Sequence, residues 1–327
     1  KVVCLFIFYV NKDRQMEAQI STDFKQLIES PNAELFGRWN FDHHSASQLN
    51  LPEGNWAWKY FCCMQEVRRK FKFTAKPRLG VAVGGAIALM YADIIWTYNS
   101  EKIENTKITF KDYLRVVDEE LDAYKPAFDD KEEAQHAYHK TIAHKMAHQL
   151  HKGIKSLALQ GEVESEANRY YNVGTEIDLL GRTDLENEFC VVEIKTLPPR
   201  RGKLKKDGTY GFSTQSVKEP KIDAARQIAL YWAATNKRPF LVYANEKEYT
   251  IFDPSNSDLL TEAAMKDHLK FYKSKAKLRE NLLIQADGDI NKLLSLVNPD
   301  WEHPFYWDIG DEFVEQAKRD FNKAMEG

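Results

Sequence analysis

Three ionisable residues occupy positions where strands usually carry apolar side chains. Asp178 is flanked by Ile177 and by Leu179-Leu180, while Glu193 and Lys195 follow the run Phe189-Cys190-Val191-Val192. Alternation along a strand puts Glu193 and Lys195 on one face and Ile194 on the other. With "GRTDLENE" read as the link between two adjacent strands, Asp178 comes to lie beside Glu193. Two carboxylates that close repel each other. A hard divalent cation relieves the conflict, since Mg²⁺ and Mn²⁺ favour carboxylate, carbonyl and water oxygens. The expected metal ligands are therefore Asp178 and Glu193. Lys195 is set to contact a phosphate or to polarise a metal-bound water. The competing reading is a charged ladder on a solvated sheet face. An aspartate inside "IDLL" and an acid-x-lysine directly after "CVV" favour the metal site.

Other side chains are grouped around this stretch. Gln227 and Tyr231 lie four apart in "RQIALYW", hence on one helical face. Downstream of Lys195, the residues Arg200, Arg201, Lys203, Lys205 and Lys206 form a basic cluster followed by Tyr210 and Phe212. Cations neutralise phosphates and aromatic faces stack on unpaired bases, so the cluster is a candidate DNA contact; its bland alternative is a solvated loop. A second basic, aromatic stretch is "RRKFKFTAKPR" at 68–78. Upstream, "GEVESEANRYYN" alternates and places Glu162, Glu164 and Glu166 on one face. The helix at 132–159 carries His136, His139, His144, His148 and His151. Its "HKMAH" has the histidine spacing of zinc hydrolases, but Lys145 stands where their glutamate base belongs, so it reads as an amphipathic helix.

The order Asp-…-Glu-x-Lys followed by Gln-x-x-x-Tyr on the next helix resembles the RecB-like branch of the PD-(D/E)xK nucleases, which includes mitochondrial genome-maintenance and phage exonucleases. "SASQLNLPEGNWAWKYF" at 45–61 is similar to the serine-rich opening of that branch, which brings in Ser45 and Ser47 as DNA contacts. The resemblance implies a restriction-endonuclease-like α/β core and metal-dependent hydrolysis of DNA. Asp178, Glu193 and Lys195 would be catalytic; Asp178, Glu193 and the Ile194 backbone carbonyl would hold the metal, with Glu162 or Glu164 assisting. Gln227 and Tyr231 would position the strand. Two departures stand out: Ile177 replaces the proline, and Gly84 replaces a metal-binding histidine. The four-cysteine pattern of some relatives is missing, so no iron–sulfur cluster is expected. Mg²⁺ or Mn²⁺ is the expected cofactor.

Composition sets the frame for these elements. The chain has 327 residues, 43% hydrophobic and 29% charged, with a formal net charge of −3. That suffices for a sizeable core, and any polyanion site must be local. The four cysteines form no disulfide framework, and no secretory signal is evident, so a cytoplasmic location is expected. The uncharged run 79–92 is too short to span a membrane. The expected architecture is α/β, a mixed central sheet flanked by helices. Its segments are an N-terminal tail (1–15), a helical region arching over the site (16–150), the nuclease core (151–255) and C-terminal helices (256–327). The expected partner is DNA, as single strands or duplex ends. An endonuclease of the same fold and a catalytically degenerate DNA-binding module are the alternatives. Repair, recombination and phage degradation of host DNA fit the site equally.

Overall fold

The computed structural model describes residues 32–63, 74–91, 95–96, 102–103, 109–124, 130–307 and 309–326. The expected tail at 1–15 and most of the basic stretch 68–78 lie outside these residues. The first elements are α1 (Ala33–Arg38), β1 (His44–Ser45), α2 (Ala46–Leu49) and α3 (Glu53–Ala57), which runs on as a π-helix to Cys62. Next come α4 (Ala75–Gly80), a π-helical turn (Val81–Gly85), α5 (Ala86–Tyr91), β2 (Ile95–Trp96), β3 (Lys102–Ile103), α6 (Phe110–Ala123) and α7 (Asp130–Ser156). The strands β4 (Glu164–Tyr171), β5 (Leu179–Glu186), β6 (Cys190–Thr196), β7 (Arg200–Leu204) and β8 (Tyr210–Ser213) follow. The chain continues through α8 (Ile222–Thr235), β9 (Arg238–Ala244) and β10 (Tyr249–Phe252). It closes with α9 (Glu262–Ala286), α10 (Ile290–Ser295), α11 (Pro304–Trp307) and α12 (Asp311–Glu326).

This is a mixed α/β fold. The central sheet runs β1-β5-β6-β9-β10, with β4 also paired to β5. It is mixed: β5 is antiparallel to β6, β6 parallel to β9, and β9 antiparallel to β10. The chain forms two compact units, one from Thr74–Arg169 with Arg182–Lys266, the other from 32–63, Tyr170–Gly181 and 267–326. That division follows a different line from segments cut at 150 and 255, because the chain passes between units inside β4 and β5.

In the first unit, β6 and β9 carry near-continuous apolar runs, as strands covered on both faces do. One face presents Leu185, Val192, Ile194, Val242 and Ala244 to Ala143, Met146, Leu150 and Ile154 of α7. Gly153 lets that helix approach closely, since a Cβ there would come within 3.0 Å of Val242 and 3.1 Å of Tyr249. The uncharged run 79–92 joins the same core through Leu79, Ala82, Val83 and Ile87. No described helix is long and apolar enough to cross a membrane. The histidines of α7 are absorbed by packing. His139 is buried between the Ala75 carbonyl (3.1 Å) and the Gln135 amide (3.2 Å), and His144 pairs with Asp118 (2.7 Å). α8 covers the opposite face of β6 and β9 with buried Ala225, Ile228 and Ala229.

The second unit packs Phe36, Trp39, Phe41, Trp56 and Trp58 against Leu283, Leu293, Phe313 and Phe321. β1 pairs in parallel with the first two residues of β5. Ser45 accepts from the Gln48 N–H at 3.2 Å while the Gln48 side chain returns to the Ser45 N–H, a reciprocal cap that starts α2.

Candidate active site

The site is built on the β5–β6 hairpin. Asn187 makes its turn: the side-chain oxygen accepts from the N–H groups of Phe189 and Cys190, both at 2.9 Å. That fixes a register in which Glu186 faces Val191 and Leu185 faces Val192. One step further, Asp184 stands opposite Glu193, and its Oδ2 accepts from the Ile194 N–H at 2.5 Å. The sequence expectation of Asp178 beside Glu193 is therefore corrected. Asp178 precedes the first residue of β5, its carboxylate accepts from Asn172 (2.7 Å), and its carbonyl accepts from the His44 N–H (2.9 Å). "GRTDLENE" is mostly strand, with the turn confined to its end. Hairpin counting held the missed signal: a tight turn centred on Glu188 pairs Glu193 with residue 183 or 184.

Glu193 is only 2% exposed; Lys195, on the same face, donates to its Oε1. The ammonium also donates to Gln227 Oε1 at 3.0 Å. Gln227 Nε2 donates to the Tyr231 hydroxyl at 2.6 Å, and that hydroxyl donates to the Arg182 carbonyl on β5 at 2.7 Å. One hydrogen-bonded chain thus links the lysine strand, α8 and the aspartate strand. Tyr231 is 1% exposed, so it braces the site from inside and does not meet a strand of DNA directly.

The electrostatics follow from two acids and one base in a poorly solvated place. Burial, and then the charge of Glu193, push the Asp184 carboxyl well above the usual carboxylate range. Burial works against the Lys195 ammonium, but Glu193 and Asp184 outweigh it and raise its pKa above the ordinary lysine value. Burial, then the same two carboxylates, hold the Tyr231 phenol well above its usual range. Glu193 Oε2 is buried and has no hydrogen-bond partner. An orphaned carboxylate oxygen opposite a second carboxylate is what a bound cation would satisfy. Asp184, Glu193 and the Ile194 carbonyl are oxygen donors of the kind Mg²⁺ and Mn²⁺ favour. No group of three or more His, Cys, Asp or Glu is brought together as a metal cage among the described residues.

The remaining expectations divide. Glu162 precedes β4 and is exposed, and Glu164 pairs with Arg169 at 2.8 Å. Glu166 instead bears electrostatically on Asp184 and pairs with Arg182 at 2.8 Å. Its φ of 56° is left-handed, which interrupts the alternation that grouped the three glutamates. The basic cluster is an ordered hairpin, β7 with β8. Arg200, Lys203, Lys205 and Lys206 are exposed on it, whereas Arg201 donates to the Lys131 carbonyl (2.6 Å) and pairs with Glu132 (3.4 Å). Phe212 is stacked on Tyr138 at 4.1 Å, so that ring face is already covered. Ser45 serves as the helix cap described above, and exposed Ser47 hydrogen-bonds to it at 3.1 Å. Gly84 lies behind β6: a Cβ there would meet the Ile194 methyl at 3.8 Å, on the face away from Glu193 and Lys195.

No family model matches the chain. Neither does any curated protein. Among solved structures, the crystal structure of SSO0001 aligns with 46% of this chain and 67% of its own at 20% identity and a TM-score of 0.25. A protein named "Putative exonuclease" from Eubacterium rectale aligns over 75% of this chain and 81% of its own, at 9% identity and a TM-score of 0.39.

Proposed function

We propose that the chain is a metal-dependent deoxyribonuclease of the RecB-like, restriction-endonuclease-like type, acting on the ends of DNA strands. The observation that carries this reading is the set Asp184, Glu193 and Lys195 on adjacent strands, tied through Gln227 to Tyr231. Bound Mg²⁺ or Mn²⁺ would supply a water of lowered pKa and neutralise charge on the scissile phosphate. Asp184, Glu193 and the Ile194 carbonyl would hold the ion. Lys195, kept protonated by its two carboxylate neighbours, is unsuited to remove a proton at neutral pH. It serves to hold a phosphate oxygen and the charge that grows there. Gln227 orients the ammonium, and Tyr231 orients Gln227.

The test is a gel with linear single strands, linear duplex and closed circles, labelled at either end, in Mg²⁺, Mn²⁺ or EDTA. Metal-dependent loss of linear DNA with circles spared is expected. Asp184→Asn should lower the rate by about 100-fold or more, on the scale of losing one electrostatic stabiliser of a transition state. Asp178→Asn should stay within about threefold of wild type, as for a surface change. Full activity in Asp184→Asn would overturn the assignment, and cut circles would make the enzyme an endonuclease.

A further inference from the structure

The β7–β8 hairpin leaves the Glu193–Lys195 strand through Leu197-Pro198-Pro199, and its base is clamped. The Leu197 N–H donates to the Ala244 carbonyl at 2.8 Å, and Gln135 of α7 donates to the Pro199 carbonyl at 3.3 Å. Arg201 is fixed to the start of α7, and Phe212 lies flat on Tyr138 with 6° between the rings. The far end is different. Lys203, Leu204, Lys205 and Lys206 are all exposed, Leu204 by 57%. Leu204 belongs to neither apolar core. The ribbon is also thin. Gly202 backs onto Gly211, and a Cβ at 202 would meet the Gly211 carbonyl at 3.4 Å. A lone exposed leucine needs no explanation. A leucine held out among cations on a thin, clamped ribbon is a different matter, because the cations attract phosphate while the leucine seeks an apolar face.

We propose that this hairpin is a wedge for the end of a nucleic-acid duplex, with Leu204 against or between the terminal base pairs and Arg200, Lys203, Lys205 and Lys206 on the two backbones. The proposal rests on the nuclease reading and adds the substrate class, duplex ends opened before hydrolysis. Apolar side chains inserted at base steps unstack them at a cost of a few kcal/mol, which phosphate contacts offset. Nine residues separate Lys195 from Leu204, a span of at most about 30 Å of extended chain.

The experiment uses the whole chain in EDTA, so that nothing is cut, and a duplex with 2-aminopurine at its end or at its centre. Wild type should brighten the terminal probe and leave the central one unchanged. Leu204→Ser should bind within about threefold of wild type yet lose most of the terminal signal. Replacing Lys203, Lys205 and Lys206 by Ala should weaken binding and flatten the log–log salt slope by about 2.7. Absence of the terminal rise in wild type, or its survival in Leu204→Ser, would overturn the wedge. In Mg²⁺, Leu204→Ser should slow duplex digestion about tenfold while single strands are digested as fast as by wild type. Ends opened without hydrolysis in any metal would leave the wedge standing and sink the nuclease reading. Equal digestion of both substrates by the variant would do the reverse.

Discussion

Asp184 is the residue at which stability and chemistry oppose each other. Its carboxyl is raised by burial and by Glu193, so ionising it at neutral pH works against the fold. Asp184→Asn keeps the shape and an acceptor for the Ile194 N–H while removing the charge. The expected result is a metal-free protein more stable by about 1–2 kcal/mol, read as a melting temperature higher by roughly 1.5–3 °C. Mg²⁺ should raise the melting temperature of wild type and leave that of the variant unchanged; a less stable variant would contradict the electrostatic account. Lys195 and Gln227 separate touching from positioning. Lys195→Met should lower kcat about 100–1,000-fold with KM for DNA within about threefold. Gln227→Ala removes one acceptor of the ammonium and should cost about tenfold in kcat, partly restored in Gln227→Glu, whose oxygen still accepts. Equal losses in both Gln227 variants would make its role merely structural.

The elements explain which parts of the site were legible. α7, α8, β6 and β9 announce themselves by period and by apolar runs; Glu193 and Lys195 are legible as charges inside such a run, and Gln227 and Tyr231 through the resemblance of "RQIALYW" to a nuclease motif. Asp184 and Glu166 depend on relations that period does not carry. The first needs the register of a hairpin whose turn is set by one asparagine side chain. The second needs a left-handed backbone inside a strand, which nothing in "ESEANRYY" signals. The basic run looked like a loop because its glycines and its Pro-Pro entry hide a two-stranded ribbon. The close seat of α7 on the sheet is testable through Gly153. Gly153→Val should destabilise by about 2 kcal/mol by crowding Val242 and Tyr249. His139 joins α7 to α4. Burial lowers its pKa from 6.5 to about 4. A depressed histidine stabilises the fold above its unfolded pKa, and that contribution is lost as pH falls from 6.5 towards 4. The loss amounts to about 3 kcal/mol. Chemical denaturation at pH 7 and pH 4.5 should show it, and His139→Gln should flatten the difference.

At the scale of the whole molecule, a net charge of −3 does not exclude a polyanionic substrate, because Arg200, Lys203, Lys205 and Lys206 are gathered on the one hairpin that follows β6. Salt dependence should accordingly reside in the hairpin and be little affected by charges elsewhere. The two units also differ in how the chain supplies them. The unit that holds Asp184, Glu193, Lys195, Gln227 and Tyr231 draws on no described residue after Lys266, while the other unit also takes in the segment 267–326. On the ribosome those residues take roughly 3–12 s to emerge. For that interval the candidate site has all of its own strands and helices, while the aromatic core of the other unit waits for the segment that carries Phe313 and Phe321. The order of synthesis thus places the sealing of the aromatic core after the strands and helices of the first unit have been made.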